Sequence, residues 1–116
     1  MAKTFMDLLQ RDVPGWSRAF FRFEADHLKT GSNASYVAGA NISLLSALRN
    51  SEFFNRMSEL AWALRERMGS AEQAFCVLLL SVNSSFDFNI DFERDDPGRW
   101  RISKMDGASG LPVGIE

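Results

Sequence analysis

The chain has 116 residues, 46% of them apolar and 24% charged, with thirteen basic and fifteen acidic side chains and a net charge of −2. That length and balance describe one globular domain, residues 1–116, and not a disordered or low-complexity segment. They argue against generic nucleic-acid binding, which needs a basic footprint, and the single cysteine excludes an internal disulfide framework.

The N-terminal "MAKTFMDLLQRD" has no apolar run of signal-peptide length, and nothing later approaches a membrane span, so the expected location is the cytoplasm with no membrane partner. Phe5, Leu8, Leu9 and Val13 fall at i, i+3, i+4 and i+8, which predicts an amphipathic helix over 3–13 that stops before Pro14-Gly15. From Trp16 to Asp26 the period is two. Ala19, Phe21, Phe23 and Ala25 share one strand face, and Arg18, Arg22 and Glu24 share the other with Trp16 and Phe20. Residues 29–33, "KTGSN", are turn chemistry, and "ASYVAGANI" after them returns as a second strand.

Phe53, Met57, Leu60, Ala61, Leu64 and Met68 predict a long helix over about 51–68, with Ser51 as N-cap and Gly69 at the C′ position. Residues 75–82 are an apolar strand in which Cys76 reads as a small core residue, not a nucleophile. After "NSS", Phe86, Phe88, Ile90 and Phe92 alternate with Asp87, Asn89, Asp91 and Glu93. The pattern predicts a strand over 86–93 with one buried phenyl-rich face and one acidic face. "RDDPG" is a turn, 99–103 comes back as a last short strand, and the tail, about 105–116, is expected to be loosely ordered. Hairpin-length connections and one-sided apolar strands give an α+β, two-layer domain, an antiparallel sheet with helices packed on one face.

The acidic strand is tested against several chemistries. Asp91-x-Glu93-x-Asp95 opens like a calcium loop, but the position that requires glycine is Asp96 and the twelfth, which requires glutamate, is Ile102. Asp91 and Glu93 stand about 6.6–6.8 Å apart on one strand face, a separation found in some glycosidase pairs. Their neighbours Arg94, Asp95, Asp96 and Arg99 make a polar setting, whereas a general acid needs a raised pKa. His27, the only histidine, reads as a solvated residue near a turn. No nucleophile-base set, phosphate-cradling glycine pattern or zinc spacing assembles, so the expectation is a protein that is not an enzyme and takes no metal or cofactor. Arg99 and Arg101, on a returning strand, would pair with Asp91 and Glu93, which leaves the strip open between a solvated face and a docking surface.

The order of features, "PGWSRAFFRFEAD" after a short helix, then a long helix, an apolar strand and "FDFNIDFERDDPGRW", resembles the YezG-like immunity proteins of bacterial polymorphic toxin and contact-dependent growth inhibition systems. The resemblance runs over residues 5–102, and Trp16 and the segment from Phe88 to Trp100 carry it. It implies an antitoxin that neutralises a cognate toxin domain, often a nuclease, by covering an essential surface. Asp91, Glu93, Asp95 and Asp96, with Arg99 beside them, are then the expected partner-binding residues of a monomer. The rival class is a small acidic secretion chaperone that binds an effector segment as a dimer, for which Phe54, Trp62 and Ala63 would supply an additional apolar stripe on the long helix.

Overall fold

The computed structural model describes residues 1–26, 29–68 and 74–115; His27 and Gly69 lie outside these. Two helices, α1 (Ala2–Asp12) and α2 (Ser51–Glu66), accompany five strands: β1 (Trp16–Ala25), β2 (Thr30–Ala38), β3 (Asn41–Leu44), β4 (Val77–Asn83) and β5 (Phe88–Glu93). All pairings are antiparallel and the order across the sheet is β3-β2-β1-β4-β5, so the domain is α+β with the first strand of the chain at the centre.

The alternation of β1 explains where the helices go. Ala19, Phe21, Phe23 and Ala25 are buried on one face, where Phe5 and Leu9 of α1 and Phe53, Phe54, Met57 and Ala61 of α2 meet them. The rings interlock: Phe21 lies edge-on to Phe5 at 6.4 Å and to Phe53 at 6.2 Å between centroids. Each fully buried phenyl contributes about 1.5–3 kcal/mol through apolar surface removed from water, which makes this cluster the main source of stability. Phe54 belongs to it, edge-on to Phe53 at 5.3 Å, so it is not part of a free stripe. Leu60 is only half-buried, while Trp62 and Ala63 are exposed. The cap of α2 is Asn50 and not Ser51, and the Asn50 amide donates to the carbonyl of Ser46 at 2.8 Å instead of closing the helix end.

Several sequence expectations are corrected. Trp16 does not share a face with Arg18 and Phe20, because the register against β2 slips between Trp16 and Arg18 and the extra residue turns the indole into the helix-side core. The segment 29–44 holds two strands, not a turn and one strand. β2 begins at Thr30, opposite Ala25, and Gly39, at φ +62°, makes the tight turn into β3.

The largest difference concerns the second sheet face. Residues 99–103 form no strand, and the tail is not loose: the chain from Pro97 to Ile115 is a strap laid across that face. Trp100 and Ile102 bury themselves on Phe20, Val77 and Leu79, with Leu111 and Ile115 packed against the same cluster. Arg22, 5% exposed, reaches up from β1 and donates through Nε to the carbonyl of Arg99 at 2.8 Å and through Nη2 to that of Pro97 at 2.7 Å. Asn33 of β2 holds the carbonyl of Ile102 at 2.9 Å, Lys104 reaches that of Ile42 at 2.6 Å, and the Val113 N–H donates to the carbonyl of Arg101 at 3.0 Å. The physical reason is that Phe20, Val77 and Leu79 alternate outward from the helix core and need their own cover, which the Trp100 and Ile102 side chains supply.

Candidate functional site

The strand singled out by its alternation is β5, at one edge of the sheet. Pairing of Val77 with Glu93, Leu79 with Asp91 and Ser81 with Asn89 puts Asn89, Asp91 and Glu93 on the strap side, and Phe88, Ile90 and Phe92 on the helix side. Phe92 packs on Phe75 at 5.2 Å, and Ile90 is half-buried against the main core. Phe88, expected in the core, is 61% exposed and lines an open groove beside α2.

The turn that follows β5 is organised by Glu93. Its Oε2 accepts the backbone N–H groups of Asp95 at 3.0 Å and Asp96 at 3.2 Å, while Oε1 accepts Arg99 Nη1 at 2.7 Å. These two N–H groups, and then Arg99, hold the carboxyl below its ordinary range. Such an acid stays ionised and does not serve as a proton donor at neutral pH. Asp96 closes the turn through Oδ1 to the Gly98 N–H at 2.9 Å, and Arg99 is fixed over the Trp100 ring at 4.9 Å. Asp91 accepts the Asn89 amide of its own strand at 2.8 Å, and Asp95 is exposed. The five expected partner-binding residues therefore sit together, but Glu93, Asp96 and Arg99 are engaged in shaping the turn. Arg99 meets Glu93 as the pairing argument anticipates, from a turn and not from a strand.

Cys76 packs at the margin of the second core cluster and not inside it. It is partly exposed at the start of the apolar run, beside Glu24, Lys29 and Pro97 in an open pocket of about 200 Å³. Its thiol is pushed up first by burial and then by the charge of Glu93, which keeps it protonated and a poor nucleophile.

The opposite end of β5 carries what sequence reasoning missed. Asn83 builds the β4–β5 turn: its Oδ1 accepts the N–H groups of Ser85 at 3.0 Å and Asp87 at 3.1 Å, and its backbone carbonyl accepts that of Phe86 at 3.0 Å. This fixes Phe86 at φ +65°, a left-handed conformation uncommon for a bulky residue, with its ring 56% exposed. Phe86 and Phe88 thus stand in solvent around Asp87. Their alternation is in phase with Ile90 and Phe92, which is why it reads as core. The available signal was position: the turn glycine or asparagine that a left-handed residue favours is absent, and a phenylalanine stands there instead.

No helix among the described residues is long and apolar enough to cross a membrane, and no group of three or more metal-binding side chains occurs among them. No protein-family model matches the sequence, and no curated protein matches it.

Proposed function

We propose that the chain is an immunity protein that binds a basic toxin domain, of nuclease type, and neutralises it by covering an essential surface. The observation that carries this reading is Phe86, a phenyl group held in left-handed backbone and presented to water. That conformation costs about 1–2 kcal/mol for a residue with a Cβ, and glycine would avoid the cost. Strain of this kind, in a residue that adds nothing to the core, fits a binding anchor. Phe88 lies beside it, and Asp87, Asp91, Asp95 and Asp96 on the same hairpin and turn suit a partner with a basic phosphate-binding groove, which such acids would steer into contact. The resemblance of the motif order to YezG-like proteins points to the same class. The reading assigns the protein no catalytic step.

The test is co-expression with any toxin module that a neighbouring gene encodes, scored by cell survival. The wild-type chain should protect. Phe86→Gly should weaken toxin binding by about 2 kcal/mol or more, roughly 30-fold, and erode protection, while the melting temperature does not fall because strain is relieved. No protection by the wild type would remove this function, and full protection by Phe86→Gly would remove Phe86 as its anchor.

A further inference from the structure

Among the described residues β5 is an edge strand of the sheet, and its two flanks differ. Asn83 and Asp87 form a hydrogen-bonded pair, since the N–H of Asn83 reaches the carbonyl of Asp87 at 3.1 Å. In an antiparallel ladder the bonded residues alternate, so Asn89 and Asp91 point their backbone groups at β4, and Phe88, Ile90 and Phe92 point theirs outward. Six residues from Phe88 to Glu93 offer about 20 Å of such edge. On the helix side, Phe88 and Ile90 form the wall of an open groove of about 500 Å³ whose floor includes Leu60, Ala63 and Leu64, with Lys3 and Arg67 at its rim. On the strap side stand Asp87, Asn89 and Asp91, with Arg18 of β1 lining the same surface as Asp87 and Asn89. An edge with apolar pockets on one flank and carboxylates on the other is a template for a strand of defined pattern.

We propose that β5 is the docking edge for an extended segment of the protein partner, added antiparallel as a sixth strand, in which apolar residues alternate with Lys or Arg. Residues opposite Phe88, Ile90 and Phe92 share their face of the sheet and place apolar side chains in the groove between β5 and α2. Residues opposite Asp87, Asn89 and Asp91 point to the strap side, where basic groups meet Asp91 and, four residues along, Asp87. Lys3 and Arg67 disfavour bases on the helix side, so the alternation has one phase only. A second copy of this chain is a poorer occupant: the register that pairs Phe88 with Phe92 of the copy sets Asp87 against Glu93. The inference rests on the binding function proposed above and names the chemistry of what is bound.

The probe is the peptide acetyl-(Val-Lys)4-amide at up to millimolar concentration, titrated into the full isotope-labelled chain, with the Val-Glu analogue in parallel. Addition to β5 should shift the amide signals of Phe88, Ile90 and Phe92 and slow their hydrogen exchange at least tenfold, and the Lys peptide should bind at least tenfold tighter than the Glu peptide. N-methylation of the Val residues, whose N–H groups face β5, should abolish binding, whereas N-methylation of the Lys residues should not. Asp87→Lys with Asp91→Lys, verified as folded by its amide spectrum, should reverse the preference toward the Glu peptide. Absence of binding, equal affinity for both peptides, shifts centred on α1, α2 or the strap, or a dimer that already protects Phe88, Ile90 and Phe92 would each overturn the proposal. The two readings fail separately: toxin protection without these shifts sinks the strand addition alone, and peptide addition to β5 without toxin protection sinks the immunity function alone.

Discussion

Replacing Arg22 by Met tests whether the strap is held by the guanidinium or only by its apolar side chains. The side chain lies almost wholly inside, and its Nε and Nη2 satisfy the carbonyls of Arg99 and Pro97 at 2.8 and 2.7 Å, with Glu24 at 3.6 Å from Nη1. Two hydrogen bonds from a charged donor are worth about 1.5–3 kcal/mol each, roughly 3–6 kcal/mol in total. Met keeps the stem's packing and removes the burden of keeping a charge out of water, the dominant influence on this group, which draws its pKa downward. Pro97 and Arg99 are themselves exposed, so water reaches the freed carbonyls. The net loss should be about 2 kcal/mol, a fall in melting temperature of about 6–12 °C for a domain of this size. Urea melts followed by tryptophan fluorescence suit the question, because Trp100 lies in the strap itself. Hydrogen exchange at the Val113 amide should accelerate more than in β1 and β2, since the strap opens before the sheet. Arg22→Lys should recover less than half, because one ammonium lacks the planar fork that spans two carbonyls. A Met variant within about 0.5 kcal/mol of wild type, or full rescue by Lys, would refute the anchoring role.

The other predictions are separable from this one. Phe21→Ala should cost about 3–5 kcal/mol in urea melts because the ring is fully buried among Phe5, Phe53 and Phe54, whereas Phe88→Ala should cost under about 1 kcal/mol, as for other exposed positions. Gly110→Ala should destabilise by about 1–3 kcal/mol: the residue sits at φ +98°, and an added Cβ would stand 2.9 Å from Ile42 Cγ2 where the strap crosses β3. Glu93 has a folded pKa below its unfolded value, so its contribution is complete above the ordinary glutamate range and disappears as pH falls through the depressed value. Stability measured from pH 7 downward should therefore decline through and below about pH 4, and Glu93→Gln should flatten that decline.

Where side-chain period is set by burial on one side, the sequence was readable. The phenyl alternation of β1 and the helical spacing from Phe53 to Met68 both identify the helix-side core, and the short connections imply antiparallel pairing. The remainder depends on information that period does not contain. A one-residue bulge at Ser17 reverses the face of Trp16 without altering the local pattern. Trp100 and Ile102 alternate like a strand, yet they alternate over the sheet and not within it, with Trp100 at φ +58°. The alternation of β1 puts Arg22 on the second face but does not reveal its carbonyl partners, which lie more than seventy residues away. The acidic side chains fall together on β5 and the turn after it, but charge alone does not reveal that Glu93 accepts two backbone amides. Phe86 and Phe88 were misplaced because a residue in the turn and one at the open end of an edge strand keep the same alternation as covered strand positions.

The placement of β1 at the centre of the sheet has a kinetic consequence. Successive strands occupy successive positions outward, β2 then β3 on one flank and β4 then β5 on the other. Such a sheet grows by accretion, and no strand must wedge between two that have already joined. Opening runs in reverse, from the rims inward, so native-state exchange should be fastest in β3 and β5 and slowest in β1. A segment seated on β5 would convert a rim into an interior position. Its effect should then be felt beyond the residues it touches, as slower exchange in β4 and, one strand further, in β1.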